Sequence, residues 1–97
     1  MDSKSLQSVK WSFNFSDDAR DEFKQLDQAV QKRIKKKIHK ILEDNTNPAL
    51  FFKRLTGSLS HLYSLRIGTY RLICEINGSQ YVILAIHVGH RRDVYDT

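Results

Sequence analysis

The spacing of apolar residues changes once along this chain, and the change limits what it can fold into. Between Ala19 and Leu42 they recur every three or four positions, and between Leu59 and Val88 largely every second one. The first period belongs to amphipathic helices and the second to strands. Ala19, Phe23 and Leu26 mark one face of a short helix. Ser16 suits its N-cap, and Asp17 and Asp18 complement the positive end of its dipole. Asp27 can cap a second helix, whose stripe is Val30, Ile34, Ile38, Ile41 and Leu42 and which ends across residues 43–48. Ahead of both, Trp11, Phe13 and Phe15 alternate with polar residues, the pattern of a short strand. After them, residues 51–57 read as a loop and residues 59–67, 70–76 and 81–88 as three strands. Gly68-Thr69 and Asn77-Gly78 supply the turns, the second being a strong two-residue hairpin signal.

This order, β-α-α-β-β-β, predicts an α+β fold. A short N-terminal strand and a helical hairpin precede a three-stranded antiparallel meander, in one sheet with the helices on one face. The 97 residues fit one domain. We expect it over residues 10–97, after a loosely ordered lead-in at residues 1–9. Alternation then sorts the side chains. Val82, Leu84, Ile86 and Val88 should face the helices, with Leu72, Cys74 and Ile76 and with Tyr63, Leu65 and Ile67. Arg66, Arg71 and His87 should gather on the uncovered face.

Sixteen Lys and Arg against eleven Asp and Glu give a net charge of +5, which favours an anionic partner. A single cysteine, Cys74, excludes an internal disulfide and a cysteine-based zinc site. Its place in an apolar strand makes it a core residue. No apolar run approaches the roughly 18–20 residues of a membrane span, and no signal peptide opens the chain, so a cytoplasmic protein with no membrane role is expected. There is no glycine-rich phosphate loop, no histidine pair at ligand spacing and no acidic cluster for magnesium, so neither a metal nor a cofactor is expected.

Three groups of residues carry the chemistry. Lys32, Arg33, Lys35, Lys36, Lys37 and Lys40 make the second helix basic, with no acid between Gln28 and Leu42. Such a face is either solvated or docked on something anionic, such as ribosomal RNA, and Lys32, Lys35, Lys36 and Lys37 are the candidate contacts. Arg71, inside Tyr70-Arg71-Leu72-Ile73 on a central strand, either pairs with Glu75 or a cross-strand acid, or clamps a phosphate. Beyond the last strand come His90, Arg91, Arg92 and Tyr95. Arginines, a tyrosine and a histidine suffice for metal-free RNA cleavage, in which the 2′-hydroxyl attacks the neighbouring phosphate and cations stabilise the phosphorane.

Three segments together resemble the RelE/ParE superfamily of toxins, the RelE branch most closely. They are Arg54-Leu55-Thr56-Gly57, Leu65-Arg66-Ile67-Gly68-Thr69-Tyr70-Arg71-Leu72 and Val88-Gly89-His90-Arg91-Arg92-Asp93-Val94-Tyr95. The resemblance spans about residues 13–95. It implies the toxin of a type II toxin–antitoxin system, a ribosome-dependent endoribonuclease that cuts mRNA in the A site and is silenced by a RelB-like antitoxin. Operator DNA would be met only through the antitoxin complex. Arg71, Arg91 and Tyr95 match the family's catalytic residues, as phosphate ligand, transition-state cation and stacking or proton-transfer group. The chain departs from the RelE pattern at Leu62 and Ser64, where RelE enzymes carry lysines. Lys53, Arg54, Arg66, His90 and Arg92 would then supply the remaining RNA contacts. The resemblance also admits a ParE-like gyrase inhibitor, or a weakly catalytic homologue acting as antitoxin partner and co-repressor.

Overall fold

The computed structural model describes residues 10–44 and 47–90. The lead-in expected at residues 1–9 lies outside them. Strand β1 (Ser12–Phe15) leads into helices α1 (Asp17–Lys24) and α2 (Gln28–Asp44). A two-residue strand β2 (Lys53–Arg54) and three longer ones follow, β3 (Tyr63–Ile67), β4 (Tyr70–Asn77) and β5 (Val82–His90). All five strands form one sheet in the order β1-β5-β4-β3-β2. β1 runs parallel to β5, and every other neighbouring pair is antiparallel. The α+β class is as expected, with one strand more, because part of the expected loop at residues 51–57 pairs with β3.

The helices begin where the chain's polar signals place them. The Ser16 hydroxyl accepts a hydrogen bond from the Ala19 amide at 3.1 Å and so caps α1. The same hydroxyl donates to the Ile86 carbonyl at 3.4 Å, and the Ser16 amide donates to the Ala85 carbonyl at 2.8 Å. One serine therefore ends β1, starts α1 and fastens both to β5. The Gln31 side chain closes the other end of α1, donating to the Leu26 carbonyl at 2.8 Å. Ala19 and Phe23 of α1 and Ile34, Ile38 and Ile41 of α2 are buried against Leu65, Ile67, Leu72, Cys74, Ile83, Ala85 and Val88. Each such aliphatic side chain contributes about 1.5–3 kcal/mol by leaving water.

Three details of the sheet differ from expectation. On β5, Ile83 and Ala85 face the helices, not Val82, Leu84 and Ile86. A bulge is the reason: Ile73 pairs with His87 but Cys74 with Ala85, so Ile86 has no opposite residue. One extra residue exchanges the faces of everything before it, and only Val88, beyond the bulge, keeps its expected side. The second difference is the last hairpin. Asn77 is the final ladder residue of β4, paired with Val82, and the loop has four residues. The Asn77 carboxamide oxygen accepts from the amides of Ser79 and Gln80, both at 3.1 Å. The left-handed position falls on Tyr81, at φ 59°, whose ring stands edge-to-face with Trp11 at 5.5 Å between centroids.

The other long hairpin forms as expected. Ile67 pairs with Tyr70 across Gly68-Thr69, with positive φ on Gly68 alone, the pattern of a type II′ turn. The third strand starts four residues later than expected, because residues Gly57–Leu59 form a 3-10 turn instead.

Candidate functional site

The face of the sheet away from the helices is where the cations converge. Leu65, Ile67 and Leu72 point into the core, so alternation turns Arg66 and Arg71 to the opposite side. The ladder sets these two arginines directly across from each other, with Gly89 of β5 on the other flank of Arg71. Like charges directly opposite destabilise a sheet. A glycine as the second neighbour leaves the space beside Arg71 without a side chain. Neither cross-strand neighbour is a carboxylate, so the cross-strand acid that would give Arg71 a structural role is not among its ladder partners.

β2 brings two further cations to the rim of this face, Lys53 in the outward row and Arg54 in the helix-side row of Tyr63. Lys53 stands opposite Ser64, and Arg54 opposite Tyr63. The Arg54 guanidinium is held in place, its Nε donating to the Ser60 carbonyl at 2.6 Å while its carbon lies 5.8 Å from the Tyr63 ring centroid. Lys53, Arg54, Arg66 and Arg71 together line an open groove of about 560 Å³, with Phe51, Leu55, Thr56 and Ser64. Among the described residues, no carboxylate lines it. Arg66 is exposed, while Arg71 is half-buried and its Nε is shielded from solvent. A planar cation held at the floor of a cationic groove is suited to two oxygens of one phosphate. Shielding also raises the local strength of the interaction, since fewer waters screen it.

The remaining sequence candidates fall in different places. His90 pairs with Tyr70 in the helix-side row, its ring 5.7 Å from the tyrosine ring, on the other face from Arg71. His87 does not line the groove. Its Nδ1 lies 3.5 Å from Glu22 Oε2, and Glu22 Oε1 accepts from the Val88 amide at 2.8 Å. Glu22 thus occupies the edge of β5 where β1 has ended. Lys32, Lys35, Lys36 and Lys37 are exposed on α2, across the sheet from the groove, and Lys35 Nζ sits 5.8 Å from the Phe23 ring centroid. Arg33 reaches the β3–β4 turn, its Nη1 3.4 Å from where a Cβ on Gly68 would stand. Arg91, Arg92 and Tyr95 lie outside the described residues.

Phe51 lines the groove without having been singled out from the sequence, and Ser64, noted there as a position without the family's lysine, lines it as well. That Lys53 stands opposite Ser64 could be found only with the register of β2 in hand. Leu62 and Ser64 are buried, at 3% and 8% exposure. Among the described residues, no three His, Cys, Asp or Glu side chains gather where they could hold a metal ion, and no helix is long and apolar enough to cross a membrane.

Comparison with known proteins places the whole arrangement. Residues 9–95 match the family model for the ParE toxin of the type II toxin–antitoxin system parDE. A RelE-like toxin protein of Escherichia coli is 30% identical over 91 residues, covering 91% of this chain and 93% of that protein. Among solved structures, the toxin–antitoxin complex RelBE2 of Mycobacterium tuberculosis superposes with a TM-score of 0.72 at 25% identity, over 89% of this chain and 97% of that one. The isolated RelE toxin of Escherichia coli gives 0.63 at 25% identity, over 84% of each chain. With a family model spanning nearly its full length and RelE toxins sharing its fold, the chain belongs to the RelE/ParE superfamily and is a toxin of a type II toxin–antitoxin system.

Proposed function

We propose that this toxin is a metal-independent endoribonuclease that cuts mRNA on the ribosome. The observation that carries the reading is the groove that Lys53, Arg54, Arg66 and Arg71 line together. In such cleavage the 2′-oxygen forms a bond to phosphorus and the P–O5′ bond breaks. The charge that collects on the phosphorane oxygens must be met by fixed cations. Arg71 is assigned to those oxygens, being the least exposed of the four. Lys53, directly opposite Ser64, supplies the positive charge that RelE enzymes draw from a lysine on β3. Arg91 and Tyr95 are assigned, through the family resemblance, to the leaving group and to stacking or proton transfer.

The reading includes a RelB-like antitoxin as partner, supported by neighbours that are toxin–antitoxin complexes, among them RelBE2. A positively charged groove in the free toxin would be neutralised by an acidic or backbone-hydrogen-bonding segment of such a partner. A second reading, inhibition of DNA gyrase, is favoured by the ParE description of the matching family model.

Primer extension on an mRNA in a purified translation system separates the two readings. Ribosome-dependent cuts are expected with the wild-type toxin. Arg71→Ala should slow them by about 100- to 1,000-fold, the scale of losing one transition-state donor. Arg71→Lys should restore only part of the rate, since an ammonium cannot bind bidentately. Absence of cuts, combined with loss of supercoiling by purified gyrase, would replace the nuclease reading with the second one.

A further inference from the structure

We infer that Phe51 is a stacking platform for an unpaired RNA base at the side of the cationic groove. The inference rests on the nucleic-acid reading of that groove and adds a recognition element to it. Phe51 ends the 3-10 turn Pro48–Phe51, which is anchored at both ends. Pro48 is buried, and Phe52 packs against the core while its amide donates to the Ala49 carbonyl at 3.1 Å. With those two anchored, Phe51 is left 49% exposed beside Leu50 at 78%. Single exposed apolar residues are ordinary on any surface. The location is what sets Phe51 apart: it lines the same groove as Lys53, Arg54, Arg66 and Arg71.

An aromatic face beside a track of cations is the arrangement by which proteins hold single strands, with phosphates on the cations and a base on the ring. An acidic peptide would use the same cations but would gain little from a flat π-surface. The two ligand classes therefore make opposite demands on position 51. Phe51 is half-exposed and outside the core cluster, so replacing it removes little core packing, and a variant there should fold normally.

The test measures fluorescence anisotropy of the antitoxin-free full chain with two labelled probes. One is a single-stranded RNA octamer, and the other is an abasic octamer with the same backbone. Phe51→Ala should weaken binding of the base-bearing probe by about five- to a hundred-fold, the range set by stacking of one base, and leave the abasic probe unchanged. Phe51→Trp should bind at least as tightly as wild type. Thermal melting of each variant confirms the fold. Equal affinities of wild type and Phe51→Ala for RNA, alongside weaker binding by Arg71→Ala, would overturn the stacking role and leave the groove reading intact. Failure of wild type to bind either probe would overturn both. A loss on Phe51→Ala that appears instead with a polyglutamate probe of equal charge would reassign the surface to protein docking and overturn the inference.

Discussion

Cys74 sits on the central strand with none of its surface exposed, and burial pushes its thiol above the ordinary cysteine range. The thiolate is the reactive form, so this cysteine is inert while the fold stays closed. A disulfide-exchange reagent at pH 8 should therefore label it only through unfolding, at least about 1,000-fold more slowly than in denaturant. Labelling of the native protein within minutes would show that β4 opens locally. Its core role was readable from the sequence, because it follows Leu72 and Ile73 in an apolar strand and shares one face with Leu72 and Ile76. Arg71 was readable for the same reason: a guanidinium within such a run has few structural explanations. Phe51 was not, since a phenylalanine beside Phe52 gives no sign of which ring turns outward until the 3-10 turn is formed.

Among the elements, the junction of β1, α1 and β5 depends on one hydroxyl. Ser16→Ala removes the cap on α1 and the link to the Ile86 carbonyl together. The expected cost is about 1 kcal/mol, within the 0.5–2 kcal/mol range of lost caps. For a domain of this size that lowers the melting temperature by about 4–8 °C per kcal/mol. Ser16→Asp keeps an acceptor for the Ala19 amide and should recover most of the loss in a thermal melt. Both helices were legible because each carries a full stripe at 3.6-residue spacing with polar residues at its start. β5 was mis-phased for a definite reason. Ile83-Leu84-Ala85-Ile86 is apolar at every position, so alternation fits either phase equally well, and nothing in the residue types marks the bulge. β2 was missed because two residues are too short to show any period.

Across the whole molecule, the positive charge divides between two surfaces on opposite sides of the sheet. Composition could give the net excess but not this division, which depends on where β2 joins. The exposed lysines of α2 and the four groove cations should respond differently to salt and mutation. If RNA lies in the groove with all four cations engaged, the logarithm of its affinity should fall with the logarithm of salt at a slope near −2.8, taking about 0.7 per contact for a single strand. Arg66→Ala should make that slope shallower by about 0.7. Replacing Lys36 and Lys37, on the far side, should leave it unchanged. A slope that moves with the α2 lysines and not with Arg66, in the same titration, would put the RNA on the helical side. The β5 bulge also bears on how chains of this family are lined up with one another. A relative lacking a counterpart of Ile86 would keep the same residues toward the helices, because the ladder on either side of the bulge is already in phase. A one-residue gap set anywhere else in that strand would pair inward residues with outward ones, so the gap belongs at position 86.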